Sequence, residues 1–162
     1  MVRAALTAAV LLGGLGGCVS LSRSETVAPM QAGAAQDAHV AEIVLLKVGE
    51  LNLTPEFDAI FKQRVKAKLD GCAKGARPLR LEARIDRFDK SNPVMTALIG
   101  GANVLRGWAV LSDSATGAPV AEYRIGQTVV GGRIAIVLMA EAEEQLSDSF
   151  GDELCKQAFP AR

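Results

Sequence analysis

Cys18, Cys72, Cys155 and His39 are the side chains of this 162-residue chain best suited to nucleophilic or metal-binding chemistry. A single histidine excludes a His-rich metal site, and no CxxC or HExxH spacing gathers ligands. His39 stands alone and reads as a solvated strand-edge residue, not a general base. Asp86 and Asp89 are close in sequence, yet Asp89 opens a Lys-Ser-Asn-Pro stretch with the composition of a strand end entering a turn. Asn52-Leu53-Thr54 matches an N-glycosylation sequon, but Thr54 is better used as a helix cap. Neither a Ser-centred elbow nor a Walker loop occurs. With no nucleophile or base to name, the expectation is a protein that is not an enzyme and takes no cofactor and no metal. The 18 basic and 18 acidic residues cancel, which leaves no cationic excess for nucleic acid. An odd cysteine count in an exported chain leaves one thiol to explain.

The N-terminus explains it. Arg3 precedes an apolar run from Ala4 to Leu15, the order of charge and hydrophobicity found in export signals. The run ends at Leu15-Gly16-Gly17-Cys18, which resembles the bacterial lipobox: a branched residue three before the Cys, two small residues, then Cys. In that family the thiol is diacylglycerylated, the chain is cut before the Cys, and the new amine takes a further acyl chain such as palmitate. The resemblance therefore implies a signal peptide over 1–17 and lipidation at Cys18. The alternative, an uncleaved anchor, meets an apolar run shorter than the ~20 residues that span a bilayer. Two or more acyl chains hold a protein stably where one does not. Val19 stands where many inner-membrane lipoproteins carry Asp, so the resemblance implies the outer membrane, on the periplasmic side.

Residues 18–38 are small and polar, with Pro29 and Gly33 and no sustained periodicity, and read as the lipidated Cys followed by a flexible tether. Residues 39–162 read as one α+β domain. His39 to Leu53 is rich in Ile, Val and Leu and forms the first expected strand. Thr54-Pro55-Glu56 is a helix start, and Phe57, Ile60, Phe61, Val65, Leu69 and Cys72 follow at helical spacing. Leu79, Leu81, Ala83 and Ile85 alternate with charged residues in a second strand. Residues 104–112 and 119–130 make two more, joined by a turn at Asp113–Gly117. A last helix follows Gly131-Gly132, with Ile134, Leu138, Ala142, Leu146, Phe150 and Leu154 inward. The order β-α-β-β-β-α implies a two-layer sandwich: a mostly antiparallel four-stranded sheet with two helices on one face.

That topology places the remaining thiols. Strands one and four point the same way and each feeds a helix, so the helices run parallel and their C-terminal ends share an edge. Cys72 and Cys155 lie near those ends, and in an oxidising periplasm a disulfide joins them; the alternative is two separate buried thiols. Residues 56–90 hold ten basic and six acidic side chains, whereas 141–153 hold six acidic and none basic. Ion pairs across the helix rims are the structural reading of this asymmetry, and contact with anionic head groups the functional one. The connection over 93–107 is longer and more apolar than an ordinary hairpin. It is either a short helix or strand folded back on the sheet, under Trp108, or a partner or membrane contact through Met95, Leu98, Ile99, Val104 and Leu105.

The lipobox, the tether and the element order together resemble small envelope lipoproteins, of the ABC-transporter auxiliary or lipopolysaccharide-assembly type. The resemblance implies a non-catalytic accessory or assembly subunit of a membrane or cell-envelope complex, bound to the membrane through its N-terminal lipid. The alternative is a periplasmic protein that binds a lipid or another amphiphile between sheet and helices.

Overall fold

The computed structural model describes residues 19–131 and 141–160. Along the chain these form β1 (Val19–Ser22), β2 (Glu25–Ala28), β3 (Ala38–Lys47), α1 (Phe57–Cys72), β4 (Arg77–Asp89), α2 (Pro93–Ile99), β5 (Gly101–Asp113), β6 (Pro119–Gly131) and α3 (Ala142–Ala158). Leu79, Leu81, Ala83 and Ile85 alternate with charged residues, and all four are buried, so β4 presents one face to the core and one to water. The same alternation along β5 and β6 sets Leu105, Ala109 and Leu111 beside Tyr123 and Ile125 on that inner face. The strands lie in the order β1-β6-β5-β4-β3, with β2 also on β6. Among the described strand pairs only β3 and β4 are parallel, through the α1 crossover.

The expected β-α-β-β-β-α order is present as β3-α1-β4-β5-β6-α3, and the α+β class holds. The four-stranded sheet does not: the sheet has six strands. The extra two come from the segment read as a tether. Val19 to Ser22 pairs with Val130 to Gln127, and Glu25 to Ala28 with Arg124 to Glu122. All eight residues of β1 and β2 are exposed. In β1 Val19 and Leu21 do alternate with Ser20 and Ser22, but over four exposed residues the period is too short to separate an edge strand held by backbone hydrogen bonds from a tether.

Two local expectations also change. The first strand ends at Lys47, six residues early, because the chain turns at Gly49 with φ +82°; Leu51 and Leu53 pack against the core from the loop instead. The Thr54 side chain does not cap α1. Its hydroxyl donates to Glu143 Oε2 at 2.5 Å, and its amide to Glu143 Oε1 at 2.9 Å, which ties the entry of α1 to the start of α3. Ile134 and Leu138 of the last expected helix lie outside the described residues.

Both long helices cover the inner face. Phe57, Phe61, Val65 and Leu69 of α1 and Leu146, Phe150 and Leu154 of α3 are essentially inaccessible. Phe61 meets Phe150 edge-on at 5.1 Å, and Phe57 meets Phe88 of β4 at 5.3 Å. The helices are parallel: Arg64 pairs with Asp148 at 3.5 Å and Lys68 with Asp152 at 2.9 Å. Gly151 permits the close approach, since a Cβ there would sit 2.8 Å from Lys68 Cβ and 3.3 Å from the Val65 Cα.

Candidate anchoring and interaction site

The parallel helices bring the C-terminal cysteines together as the topology required. Cys72 and Cys155 form a disulfide with their Cα atoms 5.9 Å apart. The ion pairs just described join the basic and acidic helices, in line with the structural reading of the charge asymmetry. His39 is half-buried at the strand edge, and its Nδ1 lies 3.0 Å from the Gly75 carbonyl oxygen. Asp86 bonds Arg106 at 2.9 Å and Asp89 bonds Arg87 at 2.6 Å. Among the described residues no group of three or more His, Cys, Asp or Glu side chains is arranged to hold a metal ion.

Cys18 lies outside the described residues, but the residue after it does not. Val19 opens β1 opposite Val130 of β6, and Val130 in turn pairs with Ala102 of β5. The N-terminal segment is then fastened along its length. Thr26 Oγ1 and Gln157 Oε1 are 3.2 Å apart, and Gln157 Nε2 donates to Glu153 Oε1 at 2.9 Å. Burial pushes the Glu153 carboxyl up, but bonds from Gln157, Ser22 and Lys156 outweigh it and hold the group below its usual value. Burial also raises the Tyr123 phenol, against a hydrogen bond from the Met30 backbone.

The 93–107 connection is a short helix leading into a strand, the first of the two readings offered for it. Asn92 caps α2, its side chain accepting from the amides of Val94 at 2.9 Å and Met95 at 3.2 Å, with Pro93 in the first turn. Gly100, at φ +89°, then redirects the chain into β5. The helix buries Thr96 alone and leaves Val94, Met95, Leu98 and Ile99 exposed at 68, 47, 57 and 72%. Leu105 is a correction: it is fully buried in the core and offers no contact surface. Val104 is half-buried on the outer face of the sheet, because residues successive along a strand point to opposite sides. Trp108 is on that outer face too, its ring 5.4 Å from the Arg124 guanidinium.

Sequence reasoning missed two groupings. An open cleft of about 330 Å³ on the outer face is lined by Leu21, Arg23, Arg87, Val104, Arg106 and Thr128, among others. Its arginines come from three segments far apart in the chain, so only strand pairing gathers them. At the opposite face, Glu143 takes Lys90 Nζ at 2.6 Å besides the two Thr54 bonds. Burial raises that carboxyl, yet Lys90 and Thr54 together hold it below its ordinary value. The layer between sheet and helices, where the alternative reading put an amphiphile, is filled by Phe57, Phe61, Phe150 and their buried neighbours.

An open, mostly antiparallel sheet with two helices on one face and an N-terminal edge strand defines the architecture. PelC from Paraburkholderia phytofirmans, described as a dodecamer, has a similar fold: TM-score 0.53 and 16% identity, over 86% of this chain and 99% of that one. A proposed lipoprotein from Caulobacter crescentus aligns at TM-score 0.43 and 11% identity, over 68% and 84% of the two chains. A DUF330 protein from Xanthomonas campestris aligns at TM-score 0.47 and 14% identity, over 80% and 90%. At such identities the PelC likeness is one of fold alone. No protein-family profile and no curated protein matches the sequence.

Proposed function

We propose that this chain is a non-catalytic lipoprotein of the cell envelope, acylated at Cys18, held on the periplasmic side of the outer membrane, and working as an accessory or assembly subunit of an envelope complex. The observation that carries the reading is the junction at Val19: the residue that would follow the acylated cysteine is already paired into the sheet. An anchor there fixes the domain against the bilayer by a defined edge. No described helix is long and apolar enough to cross a membrane. The structural bonds of His39, Asp86 and Asp89 favour a non-catalytic role. PelC, the neighbour of similar fold, is a dodecamer, so further copies of this chain belong among the partners to be sought.

The test is crosslinking in whole cells, mild detergent extraction and mass spectrometry of the purified complex. The expected result is a diacylglyceryl- and acyl-modified N-terminal Cys18 peptide, together with a defined partner or a multi-copy assembly. An unmodified N-terminus, or a monomer that crosslinks to nothing, overturns the proposal.

A further inference from the structure

Among the described residues, exposed apolar surface is concentrated at one corner. Seven of the ten large hydrophobic side chains exposed among the described residues are there: Val19, Leu21, Val94, Met95, Leu98, Ile99 and Val130. They come from three elements that the sheet brings together. Val19, Val130 and Ala102 form one row across β1, β6 and β5, and Ile99 of α2 lies just before Gly101, the first residue of β5. Ile99, Ala102 and Val130 line a shallow cleft of about 500 Å³ between them. α2 carries no charged residue, and its one polar side chain, Thr96, is buried. An uncovered apolar surface of this kind marks a contact site.

Where the chain leaves this corner says what covers it. Cys18 directly precedes Val19, so acyl chains attached there would emerge within the same row of residues. Charge is arranged to match. Four residues along β6, from Val130 to Gly126, lead to the cleft lined by Arg23, Arg87 and Arg106, a separation of about 13 Å at the rise of a strand. Among the described residues Arg87 and Arg106 pair with the partly exposed Asp89 and Asp86, and such pairs contribute about 0–1 kcal/mol, little enough to exchange a carboxylate for a phosphate. Arg23 makes no ion pair among the described residues. An amphipathic element at a bilayer lies about 5–10 Å deep at the boundary of head groups and acyl chains. A basic belt one step above an apolar tip fits that boundary.

We propose that this corner is a second bilayer contact beside the lipid anchor: α2 and the Val19–Val130 row enter the acyl boundary, while Arg23, Arg87 and Arg106 face anionic phosphates of the lipid head groups. The inference rests on the Cys18 anchor of the proposed function. It turns that anchor from a leash into one of two points that fix the orientation of the domain.

The test uses the full acylated protein in vesicles of phosphatidylethanolamine and phosphatidylglycerol. A bimane dye is placed at Leu98→Cys and, separately, at Ser114→Cys in the distant Asp113–Gly117 turn; phospholipids brominated on the acyl chain serve as quenchers. Quenching several-fold stronger at 98 than at 114 is expected. It should weaken when Arg23 and Arg106 are replaced by Glu, or when phosphatidylcholine replaces the anionic lipid. Leu98→Asp with Ile99→Asp, read by a dye at Met95→Cys, should abolish quenching while the N-terminal peptide stays acylated. Equal quenching at 98 and 114 overturns the proposal. A dye at 98 that is blue-shifted but unquenched, and whose shift depends on protein concentration, also overturns it, because the corner is then covered by a second copy. Acylation is read separately by peptide mass, so a failed anchor is distinguished from a failed contact.

Discussion

Breaking the Cys72–Cys155 bond, by reduction or by Cys72→Ser with Cys155→Ser, should leave the fold intact and lower its stability by a predictable amount. The bond closes a loop with a sequence separation of 83. Loop-closure entropy for a ring of that size removes about 4.5 kcal/mol of freedom from the unfolded chain at 25 °C. The folded state has other reasons to keep the helices in register: the Phe61–Phe150 contact, the pairs Arg64–Asp148 and Lys68–Asp152, and the close approach at Gly151. The loss should therefore come from the unfolded ensemble. For a domain of this length each kcal/mol moves Tm by roughly 3–4 °C, which predicts a drop of about 15 °C. Urea titrations of the oxidised and reduced protein, followed by far- and near-UV circular dichroism, measure both terms. The reduced form should show a larger m value, since its untied unfolded chain exposes more surface. A loss below about 1 kcal/mol would refute the loop-entropy argument. So would a changed near-UV spectrum before unfolding begins, because the bond would then be holding the native packing itself.

Gly151→Ala should destabilise the domain by about 1–3 kcal/mol in thermal melts, because overpacking at 2.8 Å from Lys68 Cβ outweighs the ~1 kcal/mol that Ala gains over Gly in a helix. The Arg77 side chain and the Thr116 amide hold the Asp113 carboxyl down at about 2, against the ordinary 3.8. A depressed folded value stabilises above the unfolded one and is lost as pH falls through the folded one, so Asp113→Asn should flatten the acid limb of stability between those two values, as read by urea midpoints. Deleting 19–28 uncovers the edge of β6, and light scattering should then find open-ended aggregation beyond any defined assembly of the full mature chain. A deletion variant that stays monodisperse would show that β1 and β2 do not protect that edge.

Much of the scaffold was legible along the chain, and for one reason: a buried face leaves a period. The period of two over Leu79–Ile85 and the helical spacing from Phe57 to Leu69 each correspond to an observed element. The turn at Asp113–Gly117 formed as its composition required, with Gly117 at φ +72° and the Asp113 carboxylate accepting from the amides of Ala115 and Thr116. The disulfide followed as well, since one parallel crossover and two antiparallel pairings point the first and last long strands the same way and so make the helices that follow them parallel. The Asn92-Pro93 start of α2 is equally local, a cap and a ring that need no partner elsewhere.

Tertiary structure alone decided the rest. β1 and β2 are exposed throughout, and backbone hydrogen bonds to β6 carry no side-chain signature, so a paired edge strand and a free tether look alike in sequence. Val104 and Leu105 are adjacent and similarly apolar; strand register puts Leu105 opposite Gln127 on the covered face and Val104 on the open one. Val19, Ile99 and Val130 share a corner, and Arg23, Arg87 and Arg106 a cleft, only because the sheet aligns separate segments of the chain. Periodicity reports which way a residue faces along its own element, whereas a surface assembled from several elements exists only once the strands have paired.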